Sequence, residues 1–139
     1  MRFFKETRDT VIALTKLKFV LKFDLIGSVL IDPDNAKDLD FLVLADGPGF
    51  CEVRHLFGND WSLCAGKYDD QTDKWGTLRN GDVNLIVTTD DGWYQRAQLA
   101  NTVCVALKLK DKGDRIVTYR VIRDGYSAAG ANLRRDGSA

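Results

Sequence analysis

Ile26-Gly27-Ser28, then a spacer of nine residues, then Asp38-Leu39-Asp40-Phe41-Leu42-Val43-Leu44-Ala45: the reading of this chain turns on that stretch. The run ahead of it, Phe19-Val20-Leu21-Lys22-Phe23-Asp24-Leu25-Ile26, is rich in Phe, Val, Leu and Ile and predicts a strand that closes on a turn at Gly27-Ser28. Residues 38–45 predict a second strand, stopped by Asp46-Gly47-Pro48-Gly49. Side chains alternate along a strand, so Asp38 and Asp40 share one face while Leu39, Phe41 and Val43 take the other. The two carboxylates stand about 7 Å apart along the strand. They repel unless water screens them or a cation lies between them. Asp is depleted in strands, so two in alternation need a reason. Oxygen donors of this kind suit Mg²⁺, which takes one or two carboxylates and leaves its other positions to phosphates and water. Gly27 lets backbone approach a ligand closely, and Ser28 offers a hydroxyl and an N–H to a phosphate.

Outward from this stretch, residues 3–17 place Phe4, Val11, Leu14 and Leu17 at spacings of three and seven, with Phe3 and Ile12 beside them, and predict an amphipathic helix. Residues 31–37 are punctuated by turn formers and predict a loop. Residues 50–57 predict a short helix, and 61–68 and 75–79 short strands. Asn80-Gly81 predicts a type I′ hairpin turn leading into a third core strand over 82–89. Asp90-Asp91 can cap a helix over about 92–109, with Trp93, Ala97, Ala100, Val103, Cys104 and Leu107 on one face. A last helix over 112–124 carries Ile116, Tyr119, Val121 and Ile122 and ends at Gly125. The expected class is α+β: a small mixed sheet with helices packed on one face, in one domain over 1–125, followed by a flexible tail over 126–139.

Composition narrows the function classes. At 139 residues, 45% hydrophobic and 29% charged, the chain fits one globular domain and excludes wholesale disorder. No apolar run approaches the roughly 20 residues of a membrane span. Positions 1–20 are too charged for a signal-peptide core, which sets a cytoplasmic expectation. Cys51, Cys64 and Cys104 form neither a disulfide framework nor a metal knuckle and read as buried thiols. His55, the one histidine, excludes multi-histidine metal sites. Charge cancels globally but gathers locally: Lys108, Lys110, Lys112, Arg115, Arg120 and Arg123 lie against only Asp111 and Asp114 over 108–123. Such a face suits either plain solvation or a polyanion. Trp61, Trp75 and Trp93 read as core or rim aromatics rather than base-stacking platforms.

The pattern hydrophobic-Gly-Ser, a spacer, then Asp-hydrophobic-Asp-hydrophobic resembles the signature of the nucleotidyltransferase superfamily, the DNA polymerase beta-like and minimal nucleotidyltransferases. Its first two elements match here position for position, and with the preceding helix and the later strand over 82–89 the resemblance covers roughly residues 5–90. The chain is also similar in size to short nucleotidyltransferase-like proteins of tailed phages. The resemblance implies transfer of a nucleoside monophosphate from a nucleoside triphosphate to an acceptor hydroxyl on RNA, protein or a small molecule. It implies Mg²⁺ (or Mn²⁺) held by Asp38 and Asp40, two metals about 4 Å apart in the general scheme. Gly27 and Ser28 would hold the outer phosphates, and the basic 108–123 face could steer the triphosphate or an RNA acceptor. Two departures stand out. Pro33 and its turn-forming neighbours limit any helix after Gly27-Ser28 to about one turn. The strand position that best matches the family's third carboxylate is Asn84, a neutral amide, with Asp82 two residues earlier. Asp82 is therefore the expected third catalytic and metal-binding carboxylate, swung inward by the hairpin, with Asn84 beside the substrate. The alternatives are a non-catalytic binding or protein-interaction module on the same fold, and a nucleic-acid binder working through the C-terminal basic face.

Overall fold

The computed structural model describes residues 3–64 and 74–125. The expected tail over 126–139, and residues 65–68 of the expected strand after Trp61, lie outside the described residues. Chain order is α1 (Phe4–Thr15), β1 (Val20–Ile26), α2 (Ser28–Ile31), β2 (Leu39–Ala45), α3 (Phe50–Val53) with a 3₁₀ turn (Arg54–Phe57), β3 (Ser62–Leu63), β4 (Trp75–Asn80), β5 (Val83–Thr88), α4 (Asp91–Ala106) and α5 (Lys112–Ile122). The class is α+β, with a mixed five-stranded sheet in the order β1-β2-β5-β4-β3. β2 and β5 run parallel at its centre, and the remaining neighbours pair antiparallel.

Alternation along β2 explains how the core divides. Leu39, Phe41, Val43 and Ala45 point to one face and pack with Phe3, Leu14, Phe50, Val53 and Phe57 from α1, α3 and the 3₁₀ turn. Leu42 and Leu44 point to the other face and pack with Ile26 and with Trp93, Tyr94 and Ala97 of α4. Helices therefore cover both faces, where one face was expected. The physical reason is the central strand itself. Leu42 and Leu44 are as apolar as the opposite row and need a cover of their own.

Other expectations shift in detail. Phe3 is the buried anchor of α1, whereas Phe4 and Ile12 are exposed. The turn between β4 and β5 is Gly81-Asp82, one residue later than expected, because Asn80 still pairs with Val83. Gly81 alone has positive φ there, at 60°, which is the type II′ pattern with Gly at the first central position. α4 starts as expected, with Asp90 Oδ1 accepting from Trp93 N at 3.0 Å. It stops at Ala106, because Lys108 adopts a left-handed conformation (φ 53°) and turns the chain toward α5. Leu107 is consequently exposed rather than on the packed face. Cys104 is buried as expected, but Cys51 is exposed.

α5 is attached differently from the rest. None of its residues is fully buried. Its C-terminal end is held by Arg123, whose guanidinium lies 4.7 Å from the Trp75 ring, 4.8 Å from Trp93 and 5.2 Å from Tyr119. Arg96 also donates to the Arg123 carbonyl at 3.1 Å. The aromatic pair Trp75–Trp93 is thus a seat for an arginine of the chain itself.

Candidate functional site

Between the sheet and α5 lies a cleft of about 1110 Å³, large enough for a nucleotide-sized ligand. Its floor follows from strand register. Ile26, Asp40, Asn84, Arg79 and Ser62 stand opposite one another across β1, β2, β5, β4 and β3, one residue from each strand. Asp40, Asn84 and Arg79 of that row line the cleft. Asn84 donates from Nδ2 to Asp40 Oδ1 at 2.9 Å and accepts on Oδ1 from Arg79 at 2.8 Å. The other end of the Arg79 fork donates to Asp38 Oδ1 at 3.1 Å. Asp38, Arg79, Asn84 and Asp40 therefore form one continuous network.

Its electrostatics are uneven. Burial pushes the Asp40 carboxyl above the usual carboxylate range, and nearby Asp38 adds to the rise. The Asn84 hydrogen bond and the charges of Arg79 and Arg115 pull the other way without cancelling burial. Asp38 is only partly buried and carries the ion pair with Arg79. Across the cleft, Lys112, Arg115 and Arg120 of α5 supply a basic wall. Part of the basic stretch read from sequence thus lines the cleft with the aspartates, while Lys108 and Lys110 lie outside it. Tyr119 lines the same cleft, and its hydroxyl is buried without a hydrogen-bond partner among the described residues.

The Gly27 turn closes one end. Gly27 has φ 87°, a region L side chains rarely adopt. A Cβ there would lie 2.7 Å from Asp40 Oδ2, so the backbone favours glycine and any side chain would have to displace the Asp40 carboxylate. Its N–H donates to Asn101 Oδ1 of α4 at 3.0 Å, which ties the turn to the far helix. Ser28 follows in the single turn of α2, as short as the sequence implied.

The structure thus brings Gly27, Ser28, Asp38, Asp40 and Asn84 together along one cleft. It leaves Asp82 out. That residue is exposed in the β4–β5 turn and absent from the cleft lining, and its carbonyl accepts from Leu39 N at 2.9 Å. The expected inward swing needed Asp82 to sit within the strand. The later turn places it beyond the strand's end instead. Two members of the site, Arg79 and Asn101, were not singled out by sequence reasoning. The signal for Arg79 was the hairpin register, which sets it opposite Asn84. Asn101 carries no local signal, since only tertiary packing brings α4 to Gly27. His55 lies on the 3₁₀ turn, away from the cleft.

Asp38 and Asp40 are two hard oxygen donors on one face, a set that fits a single Mg²⁺ or Mn²⁺ completed by phosphates and water. Among the described residues no group of three His, Cys, Asp or Glu side chains is placed to hold a metal. No helix among them is long and apolar enough to cross a membrane. No family model, curated protein or solved structure matches this chain.

Proposed function

We propose that the cleft is a nucleotidyltransferase-type site that binds a nucleoside triphosphate with Mg²⁺. Asp38 and Asp40 would hold the metal, which would supply positive charge to neutralise the phosphates. Lys112, Arg115 and Arg120 would meet the phosphates from the opposite wall, and the Tyr119 hydroxyl offers a further donor. The observation that carries this reading is the acidic pair facing a basic wall across one cleft, beside a glycine turn where a side chain would press on Asp40.

Transfer of the nucleoside monophosphate to an acceptor hydroxyl is the reaction such a site serves elsewhere. It requires a group that accepts the hydroxyl's proton. Asn84 holds the position in register with Asp40 and cannot accept one, because its Oδ1 belongs to a neutral amide already engaged by Arg79. This favours nucleotide binding with little or no turnover over an efficient transferase. Incubation with labelled triphosphates, Mn²⁺ and mixed RNA and protein acceptors separates the two. A binding protein shows saturable triphosphate binding that is lost in Asp38→Asn, with no label transferred. Robust labelling by the wild type would establish the transferase, and no binding at all would remove both.

A further inference from the structure

The Arg79 guanidinium lies where a cation facing Asp38 would lie. One end of its planar fork holds Asp38 Oδ1 at 3.1 Å and the other holds Asn84 Oδ1 at 2.8 Å. Asn84 in turn donates to Asp40, so the same cation orients the amide that satisfies the second carboxylate. We infer that Arg79 is an internal counter-ion: it guards the metal position in the free protein and passes onto phosphate oxygens when a metal–triphosphate enters. The inference rests on the nucleotide reading above.

Charge and reach both support the exchange. With Asp38 and Asp40 ionised, one guanidinium leaves the pair with a residual negative charge. A divalent ion would neutralise it fully, but it must first take Asp38 from Arg79. That ion pair is about 40% exposed on each side, so it is weak enough to be displaced. Arg79 lines the cleft from β4, and its long, partly exposed side chain gives the guanidinium reach independent of the strand. Once released, its fork suits phosphate oxygens, which accept two parallel N–H bonds. Lys112, Arg115 and Arg120 face it from the opposite wall and would add positive charge around the same phosphates.

The signature is a pair of opposite effects. Removing the guanidinium should help a bare metal ion and hurt a metal–triphosphate. The full chain and its Arg79→Gln and Arg79→Lys variants would be titrated with Mn²⁺ alone, followed by the electron paramagnetic resonance of free Mn²⁺. They would then be titrated with an α,β-nonhydrolysable ATP analogue at saturating Mn²⁺. In Arg79→Gln, affinity for Mn²⁺ alone should rise about two- to fivefold, the upper part of the range of a half-exposed ion pair. Analogue affinity should fall by a similar factor. Arg79→Lys should lie between Gln and wild type in both, and adding Asp38→Asn to Arg79→Gln should erase the Mn²⁺ gain. A merely structural arginine would move both affinities down together; that outcome, or no change in Mn²⁺ affinity, overturns the proposal. The Mn²⁺ arm stands without nucleotide. A gain there with no analogue binding in any variant would keep Arg79 as guard of a cation site and discard both its transfer to phosphate and the nucleotide reading.

Discussion

Asn84 and Asp40 stand directly opposite each other in the parallel β2–β5 pair, with Asn84 Nδ2 donating to Asp40 Oδ1 at 2.9 Å. An amide is a neutral side chain that can both give a hydrogen bond to the Asp40 carboxylate and take one from Arg79. The pairing stabilises the free protein at the position that, in the proposed nucleotidyltransferase reading, best matches a third carboxylate.

Replacing Asn84 by Asp should therefore reverse both properties. Two carboxylates would meet across the strands with no donor between them, costing about 1–3 kcal/mol in the absence of metal. The expected result is a lower melting temperature that Mn²⁺ restores much more strongly than in the wild type. Label transfer appearing only in this variant would show that position 84 disarms the site. An unchanged melting temperature with no metal response would remove Asn84 from the network.

Asp82 gives the opposite expectation. Because it is exposed in the turn outside the cleft, Asp82→Asn should leave triphosphate affinity within twofold of wild type, or about 0.4 kcal/mol. Asp38→Asn should reduce that affinity at least tenfold, or about 1.4 kcal/mol. Calorimetric titration with Mn²⁺ and a nonhydrolysable triphosphate compares them. A large loss in Asp82→Asn would mean that the turn closes onto the ligand.

Gly27→Ala should harm both fold and site. Its φ of 87° strains any L side chain, and the new Cβ presses on Asp40 Oδ2. A loss of about 1–3 kcal/mol is expected from the backbone alone. Denaturant unfolding measures it, and a double cycle with Asp40→Ala should recover the steric part while leaving the backbone part. Full additivity in that cycle would show that Asp40 yields freely.

Asp90 provides the pH test. The Trp93 backbone N–H bonded to its side chain holds its carboxyl below the usual carboxylate value, with a contribution from the Lys74 charge. A carboxylate lowered by folding binds fewer protons folded than unfolded, so its stabilisation is complete above the unfolded pKa. It is lost as pH falls through the folded one. Asp90→Ala should cost about 1 kcal/mol at neutral pH. Melting curves of the variant and wild type should converge below about pH 3.8. A constant gap down to pH 2 would show that the cap works without its charge. Asp40 has the opposite sign: its raised carboxyl penalises the folded state most at neutral pH, and that penalty fades as the solution is acidified.

Much of the fold was legible because strand and helix periods are local signals. The Asp38–Asp40 alternation, the capped start of α4 and the single helical turn after Gly27 all appear where the residues placed them. The cover on the second sheet face was less visible, since Leu42 and Leu44 lie within one continuous apolar run that does not say how its two sides are shielded. At the site, the pair of acids and the glycine could be read directly. Asp82 could not be placed, because a one-residue difference in the hairpin turn decides whether it belongs to the strand or the loop. Arg79 escaped notice because its partner Asp38 is 41 positions away and meets it only through the completed sheet.

The central parallel pairing also bears on how the molecule assembles. β4 and β5 are joined by a two-residue turn, and β1 is followed by its partner β2, so both pairs close over short stretches of chain. Asp40 and Asn84 are 44 positions apart, and their meeting requires those two halves to dock. Loop closure over such a distance carries more entropy than either local pairing. β2–β5 docking is thus expected to be the late step of folding, with the joined Asp40–Asn84–Arg79 floor absent from every earlier species. A half-formed chain would hold its aspartates apart from Asn84 and Arg79 and leave its basic helix without a completed floor to face. Ligand affinity would then report completion of the sheet, making a bound nucleotide a probe of the final folding event.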